Sequence, residues 1–172
     1  VHVCSETKPS ARPGARIQRH RTEPAGAIDQ GGISITPPIQ TVTDCLLQTG
    51  FAVGIPIADS AISKLGLTRE QLMEAVEKRA GARNGRAART ALTTLQYADA
   101  RAESGGESVA RAVMIETGFA PDRLQYELTD PFDSTESMRT DFAWERQARE
   151  LTLGELDGFV KYTDQAMLAG RT

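Results

Sequence analysis

The sequence of 172 residues is slightly longer than one typical domain, and its 40% hydrophobic and 25% charged residues are those of a globular protein. No apolar run approaches the roughly 20 residues that a membrane span requires, because the best candidate, Phe51 to Ala58, is short and interrupted by Gly54 and Pro56. These features exclude membrane-spanning and fibrous classes. The chain starts at Val1 in a strand-like pattern, without Met or the pattern of a secretory signal, so we expect further sequence upstream.

The cysteines and histidines exclude several kinds of site. Cys4 and Cys45 are too few for a disulfide framework, and no CxxC pair is present for zinc. His2 and His20 form no HExxH motif. We therefore expect free thiols in a reducing cytoplasm.

The net charge of −3 conceals an uneven distribution. Residues 61–101 carry 8 basic and 4 acidic side chains, a net of +4, whereas residues 102–172 carry 7 basic and 14 acidic side chains, a net of −7. This asymmetry is typical of a nucleic-acid-facing segment beside a metal-binding one. Two solvated faces without a role would give the same count.

Residues 1–58 are predicted to form a small α/β unit that is incomplete at its N-terminus. Short alternating stretches, Val1–Cys4, Ala15–Arg21 and Gly32–Ile35, are separated by Pro and Gly breakers and predict a small β-meander. Thr36 followed by two prolines predicts a helix start with threonine as the cap, and Gly50 is expected to end that helix.

Residues 59–100 are predicted to be a basic helical linker. A helix is expected across Ile57–Lys64, and Thr68 with Gln71 forms a capping box that opens a second helix, closed by Gly81. Its inward positions should be Leu72, Val76 and Ala80, and those of the helix Arg86–Asp99 should be Ala88, Leu92 and Leu95. Basic residues cluster around the intervening turn, and they suit either a phosphate backbone or the dipole of a helix C-terminus: Lys78, Arg79, Arg83, Arg86 and Arg89.

Residues 101–172 are predicted to form a mixed α/β (α+β) domain around a short sheet. Ser104 with Glu107 is a second capping box, and it opens a helix that Gly118 ends. Alternating patterns then predict three strands, Leu124–Thr129, Met138–Trp144 and Leu151–Asp157. A final helix is expected across Phe159–Ala169.

Carboxylates are the most informative feature of this domain. Asp141 lies inside an otherwise apolar strand pattern, where charged residues are rare. Glu155 and Asp157 end the next predicted strand two residues apart, so their side chains should leave the same face of the sheet. Pairing of the two strands would bring Asp141 within about 5 Å of Glu155. Like charges this close need a proton, a basic group or a metal, and oxygen-only ligands suit Mg²⁺ or Mn²⁺.

Two further side chains complete a candidate site for phosphodiester hydrolysis. Lys161 lies four residues beyond Asp157 and can return its ammonium towards the acids, where it would stabilise developing negative charge. Glu107, in the first turn of the preceding helix, is a fourth acid, although a capping role explains it equally well. Asp157 before Gly158 also suits an ordinary turn.

Four segments carry a resemblance to one known superfamily: Glu103–Ser108, Leu124–Tyr126, Thr140–Trp144, and Gly154–Gly158 with Lys161 and Tyr162. Together they resemble PD-(D/E)XK nucleases. More narrowly, they resemble the restriction-endonuclease-like, Vsr-like domain at the C-terminus of many actinobacterial AbiEi-type antitoxin homologues, many of which carry a winged helix upstream. The resemblance covers residues 101–165.

The resemblance implies a four-stranded mixed sheet flanked by helices, with Asp141 and Glu155 holding Mg²⁺ or Mn²⁺, Glu107 on the first core helix and a lysine assisting. Two positions after Glu155, where the superfamily has that lysine, this chain has Asp157. Either Lys161 replaces that lysine from a different position in the chain, or the site has lost part of its catalytic residues. The two resulting hypotheses are a metal-dependent DNA endonuclease and an inactive nuclease fold in an antitoxin or DNA-binding regulatory system.

The partners expected from these hypotheses are DNA and a toxin or regulatory protein, with no membrane. Enzymes that cut both strands of a duplex usually pair two sites, so a homodimer is also an expectation. A purely structural domain, whose acids never meet, is the third hypothesis, because a shared fold does not establish activity.

Overall fold

The computed structural model describes residues 2–5, 18–21, 26–81, 85–129, 137–145 and 150–157. Within these ranges lie five helices, namely α1 (Pro38–Gln48), α2 (Phe51–Leu65), α3 (Arg69–Ala80), α4 (Arg86–Gln96) and α5 (Gly105–Glu116). The strands of the same ranges are β1 (His2–Ser5), β2 (Gln18–Arg21), β3 (Ile28–Gln30), β4 (Ile33–Ile35), β5 (Arg123–Thr129), β6 (Ser137–Glu145) and β7 (Leu151–Gly154). The predicted mixed α/β class is confirmed. None of the described helices combines the length and apolarity needed to cross a membrane.

The helices α1 to α4 pack around one hydrophobic core. The side chains predicted to face inward do so: Leu72, Val76, Ala88 and Leu95 are buried, and Ala80 and Leu92 are partly buried against them. Residues predicted to be a linker therefore form half of a packed helical unit. The predicted boundary between residues 58 and 59 falls inside α2, whose Ala58 and Ala61 belong to the same core.

The junction of α1 and α2 differs from the prediction. Pro37, rather than Thr36, occupies the N-cap of α1, and no side chain caps this end; the Thr36 hydroxyl instead lies 2.6 Å from that of Thr41. Gly50 is the N-cap of α2 rather than the end of α1. Consequently α2 begins six residues before the predicted Ile57 and continues through Pro56. Burial of its apolar face outweighs the hydrogen bond that this proline cannot donate.

Gly54 permits the close approach of α2 and α4. A Cβ atom added at Gly54 would lie 2.9 Å from the Thr94 Cγ2 atom and 3.2 Å from its Oγ1 atom. We expect Gly54→Ala to lower the free energy of unfolding by about 1–3 kcal/mol, because the fully packed neighbours cannot recede without strain. Urea denaturation measures this. Gly54→Ala combined with Thr94→Ala should recover part of the loss, and an unchanged stability of the single variant would contradict the packing described.

Both predicted capping boxes cap their helices, but they differ in detail. At α3 the box is complete: Gln71 N donates to Thr68 Oγ1 (3.1 Å), and Thr68 N donates to Gln71 Oε1 (2.8 Å). At α5, Glu107 N donates to Ser104 Oγ (3.1 Å), but the Glu107 carboxylate accepts from Glu103 N (3.0 Å) instead of the cap residue. The Glu107 side chain therefore extends past the cap residue, and its carboxylate lies beside Gln125.

The predicted β-meander at the N-terminus is wrong. Strand β1 pairs with β2 in parallel, from His2 with Gln18 to Ser5 with Arg21, whereas a meander is antiparallel. Strands β3 and β4 form a separate hairpin, in which Gly31 and Gly32 adopt φ angles of +64° and +82°. Parallel pairing of consecutive strands needs a long connection, and a short-range alternating pattern carries no information about it.

The third sheet has the order β5-β6-β7 and is antiparallel throughout. Helix α5 covers one face, where Ala110 and Met114 pack against Leu124, Phe142 and Trp144. The order α5-β5-β6-β7 follows the predicted order of one helix and three strands. In the described part the sheet has three strands, and the predicted helix Phe159–Ala169 lies outside the described residues.

A buried ion pair joins α5 to the helical core. Arg111 of α5 donates through one guanidinium nitrogen to both carboxylate oxygens of Asp59 in α2, at 2.8 and 2.7 Å. Its other terminal nitrogen donates to the Tyr97 carbonyl oxygen (2.6 Å). Asp59 also accepts from Asp99 N (2.8 Å). This network fixes the orientation of α5, and therefore the position of Glu107, relative to the four helices.

Candidate functional site

Strand β7 ends at Gly154, before two of the predicted site residues. The prediction that Glu155 and Asp157 leave the same face of one strand is therefore wrong, because both follow the strand and are exposed. Two side chains of β6 bind the backbone where the β6–β7 ladder ends. Thr140 Oγ1 donates to the Gly154 carbonyl oxygen, and Leu156 N donates to Asp141 Oδ2, each at 2.8 Å. The backbone after β7 is thus held by Asp141.

Asp141 lies within a strand, as predicted, and that strand is the central one of the sheet. It lies on the middle strand β6 and is partly buried. Its Oδ2 atom accepts from Leu156 N, and its Oδ1 atom accepts from the Gln125 side-chain amide at 3.4 Å. A carboxylate at the centre of a sheet therefore connects two neighbouring segments of chain.

Gln125 brings Asp141 and Glu107 together. Its Nε2 atom lies 2.9 Å from Glu107 Oε2 and 3.4 Å from Asp141 Oδ1. The backbone at Gln125 has φ +51°, in the left-handed region, and Gln125 is missing from the β5–β6 register although both neighbours, Leu124 and Tyr126, are paired. We call Glu107 and Asp141 the carboxylate pair.

The carboxylate pair borders a small crevice between α5 and the sheet. The crevice is also lined by Arg111, Ala102, Leu124 and Phe142. Arg111 is one helical turn after Glu107 and almost fully buried, and its Nε atom has no hydrogen-bond partner. The buried guanidinium of Arg111 therefore lies in the same crevice as the carboxylate pair.

The charge of Arg111 also acts on Asp99, a neighbouring acidic residue. Partial burial opposes ionisation of Asp99, but hydrogen bonds from Arg101 and the charges of Arg101 and Arg111 outweigh it, so the pKa of Asp99 falls below its usual value. Asp99 is therefore ionised under neutral conditions.

Of the other predicted site residues, the structure describes Glu155 and Asp157, which both follow β7. Glu155 borders a different concavity, together with Leu128, Met138, Thr140 and Leu153. Lys161 lies outside the described residues. Among the residues that the structure describes, no three His, Cys, Asp or Glu side chains group closely enough to hold a metal. The structure thus joins Asp141 to Glu107 through Gln125.

The carboxylate pair supplies oxygen donors, which are the ligands that hard divalent cations prefer. Magnesium is commonly held by one or two carboxylates, with water and phosphate oxygens completing its shell. Glu107 Oε2 and Asp141 Oδ1 already converge on one atom, Gln125 Nε2, as two ligands of one ion must converge. Gln125 also carries an amide oxygen that can serve as a third oxygen donor. Mg²⁺ or Mn²⁺ therefore suits this set better than Zn²⁺.

The predicted nucleic-acid residues separate into three groups. Arg79 is paired with Asp44 at 3.0 Å, and Arg83 lies outside the described residues. Arg86 and Arg89 line an open concavity of about 330 Å³. We call this the basic concavity, and its other lining residues are Phe51, Thr90 and Thr93.

The thiols of Cys4 and Cys45 are free, as predicted. Partial burial, and then the nearby charge of Asp44, raise the pKa of the Cys45 thiol above its usual value. The thiol form is therefore favoured, which makes Cys45 a weak nucleophile.

The sequence predictions miss the buried pair of Asp59 and Arg111. The signal for the ion pair is present in the sequence, because Asp59 is the one charged residue in the segment 51–60 and Arg111 interrupts an otherwise apolar helix pattern. A charge in such a place needs a buried partner. The left-handed backbone of Gln125 has no comparable signal.

The chain has relatives in Mycobacterium tuberculosis. Uncharacterized protein MT2308 of strain CDC 1551 / Oshkosh and Uncharacterized protein Rv2248 of strain H37Rv are each 34% identical to it over 133 residues. These matches cover 77% of this chain and 44% of each relative, so the chain spans less than half the length of the curated relatives it matches. No protein family and no solved structure matches the chain.

Proposed function

We propose that the chain carries a metal-dependent nuclease site that hydrolyses phosphodiester bonds of DNA, and that it acts in the cytoplasm. The observation that carries the proposal is the convergence of Glu107 and Asp141, from a helix and a central strand, on the amide of Gln125. The order α5-β5-β6-β7 supports it, because the resemblance to PD-(D/E)XK nucleases places its acids on such elements.

Each residue has a distinct part in this proposal. Glu107 and Asp141 hold the cation, and Asp141 also fixes the backbone at Leu156, next to the exposed Glu155. Mg²⁺ or Mn²⁺, when bound, would activate water and neutralise charge on the scissile phosphate. The resemblance has a lysine that assists catalysis at the position of Asp157, and Lys161 is the proposed substitute that would stabilise the developing negative charge.

The basic concavity is the proposed contact with DNA. The net charge of −7 over residues 102–172 repels phosphates, so DNA has to be held elsewhere on the protein. Arg86 and Arg89 offer positive charge, and Thr90 and Thr93 offer hydroxyl donors, on one open surface.

Neutralising both arginines of the basic concavity is expected to weaken DNA binding to the same extent for every sequence. For Arg86→Gln with Arg89→Gln, the negative slope of log affinity against log salt concentration should become less steep by about 2, because two phosphate contacts are lost. Fluorescence anisotropy with a labelled duplex measures this. Arg101→Gln is the matched control, since Arg101 is paired with Asp99 at 2.7 Å. Equal slopes for the double variant and the wild type would refute this contact.

An inactive nuclease fold in an AbiEi-type antitoxin or DNA-binding regulatory system is the second candidate. Two observations favour it. The Gln125 amide already satisfies both acids without a cation, and Asp157 stands where the superfamily has its lysine. Such a protein would bind a toxin, a regulatory partner or DNA without cutting it.

Incubation of supercoiled plasmid with the protein distinguishes the two candidates. The nuclease proposal predicts nicked or linear product with Mg²⁺ or Mn²⁺ and none with EDTA. A Glu107→Gln variant should cut at least about 10-fold more slowly, because a carboxylate donor to the cation is replaced by a neutral amide. DNA binding without any product, over a range of duplex, single-stranded and RNA substrates, would favour the inactive fold.

A further inference from the structure

We propose that the basic concavity binds an unpaired nucleotide of a DNA strand, with the base stacked on Phe51 and the neighbouring phosphates held by Arg86 and Arg89. This inference rests on the proposed contact of the basic concavity with DNA, and it names the form of DNA that this surface fits. It does not depend on the carboxylate pair.

The basic concavity combines two kinds of group on one open surface. Arg86 and Arg89 supply positive charge, Thr90 and Thr93 supply hydroxyl groups, and Phe51 supplies a phenyl ring. None of the described residues that line it is acidic. Its volume of about 330 Å³ lies at the lower end of the range of small-ligand pockets. A matching ligand therefore carries negative charge beside a flat apolar group, and a nucleotide has both.

Helix α4 places the polar groups in one stripe. Residues three, four and seven positions apart lie on the same face of a helix, so the two arginines and two threonines face the concavity together over two turns. The sequence of α4 contains no acidic residue, and the single acid of α2, Asp59, is buried against Arg111. These two helices therefore present no exposed carboxylate that would repel a phosphate.

Two contacts hold Phe51 beside α4. The rings of Phe51 and Tyr97 form an edge-to-face pair, with centroids 5.5 Å apart and an interplanar angle of 86°. Gly54, one turn after Phe51, permits the close approach of α2 to Thr94 of α4. Phe51 is still partly exposed. Because the ring is already held in place, little conformational entropy is lost when a base stacks on it.

The phenyl ring distinguishes an unpaired strand from a duplex. In a duplex the faces of the bases are covered by their neighbours, and a protein reaches only phosphates, sugars and base edges. Arginines and threonines suffice for phosphate contacts in either form of DNA. Aromatic rings beside basic residues are typical of surfaces that bind single strands, because every base has a face that can stack. The position of Phe51 beside Arg86 and Arg89 therefore favours an unpaired nucleotide.

Fluorescence anisotropy of the wild type with three labelled DNA probes of equal length tests the inference without any substitution. The probes are oligo(dT), an abasic strand that keeps the phosphates and lacks the bases, and a duplex. The wild type should bind oligo(dT) about 5-fold to 100-fold more tightly than the abasic strand, because stacking is lost with the bases. It should also bind oligo(dT) more tightly than the duplex, although the duplex carries twice as many phosphates.

Substitution of Phe51 separates stacking from charge. Phe51→Leu should bind oligo(dT) no better than the abasic strand, while the slope of log affinity against log salt concentration stays that of the wild type, because the phosphate contacts remain. Phe51→Trp should keep the affinity, and oligo(dT) should quench the added emission, since Trp144 is the single tryptophan of the chain and is buried. Phe119→Leu, at an exposed phenylalanine after α5, is the matched control and should bind like the wild type. Thermal unfolding shows that each variant is folded.

The outcomes separate this inference from the proposed function. If the wild type binds all three probes equally and Phe51→Leu matches it, the unpaired nucleotide is refuted, and the proposed contact with DNA stands. Poly-glutamate that displaces labelled oligo(dT) as effectively as unlabelled oligo(dT) does would make the concavity a surface for an acidic protein, and would also overturn the inference. If the wild type binds none of the DNA probes, the proposed function itself fails.

Discussion

Replacing Arg111 with methionine is expected to lower the free energy of unfolding by about 3–5 kcal/mol, because it leaves the charge of Asp59 buried without its partner. Asp59 is 2% exposed and Arg111 is 5% exposed, and three hydrogen bonds from the guanidinium are lost with the substitution. The effect should be large for a single change, since a domain of this size is stable by only about 5–15 kcal/mol.

Urea denaturation of the Arg111→Met variant measures this loss. Arg101→Met is the matched control, because its partner Asp99 is the acceptor in a more exposed pair; it should cost less than about 1 kcal/mol. Combining Arg111→Met with Asp59→Leu should recover part of the loss, although Asp99 N then loses its acceptor. A variant Arg111→Met as stable as the wild type would show that the pair does not connect α5 to the helical core.

The Asp141→Asn variant is expected to lose DNA cleavage by about 100-fold or more, because it removes a charged ligand from the proposed cation site. The amide that replaces the carboxylate keeps an oxygen that can accept from Leu156 N, so the hydrogen bond that holds the backbone after β7 should survive. The expected loss is therefore chemical rather than structural.

Plasmid cleavage rates in Mg²⁺ and Mn²⁺ measure this effect, with thermal unfolding in EDTA to show that the variant is folded. Asp44→Asn is the matched control, since it makes the same change in α1, on an acid that pairs with Arg79. The control should cut at the wild-type rate. An Asp141→Asn variant that retains wild-type cleavage would place the chemistry elsewhere in the protein.

The elements that the sequence predicts correctly are those that local interactions determine. The box of Thr68 and Gln71 involves residues three positions apart, and the inward positions Leu72, Val76 and Leu95 follow from the helical period. The alternating patterns located β5 and β6 for the same reason, because a half-buried strand repeats every two residues.

The failures involve contacts between distant segments. Nothing local to Gly54 and Pro56 indicates that a helix continues through them, because the reason is burial of the apolar face of α2 against the neighbouring helices. The parallel pairing of β1 with β2 is likewise invisible in their own residues. Strand β7 stops at Gly154 because side chains of β6 bind the backbone that follows.

The candidate site was predictable in part. The sequence indicates Asp141, because a charge within an apolar strand pattern is rare, and Asp141 lies on the central strand of the sheet. Glu107 was ambiguous in the sequence, and its carboxylate both accepts from Glu103 N near the helix start and contacts Gln125. The role of Gln125 depends on a left-handed backbone angle, for which glutamine gives no signal.

Calorimetric titration of Mn²⁺ into the wild-type protein and into Asp141→Asn is the most direct test that the carboxylate pair is a cation site. We expect saturable binding of one ion by the wild type, and loss of that binding in Asp141→Asn at an unchanged Tm in EDTA. No binding by the wild type, or equal binding by the two proteins, would contradict it.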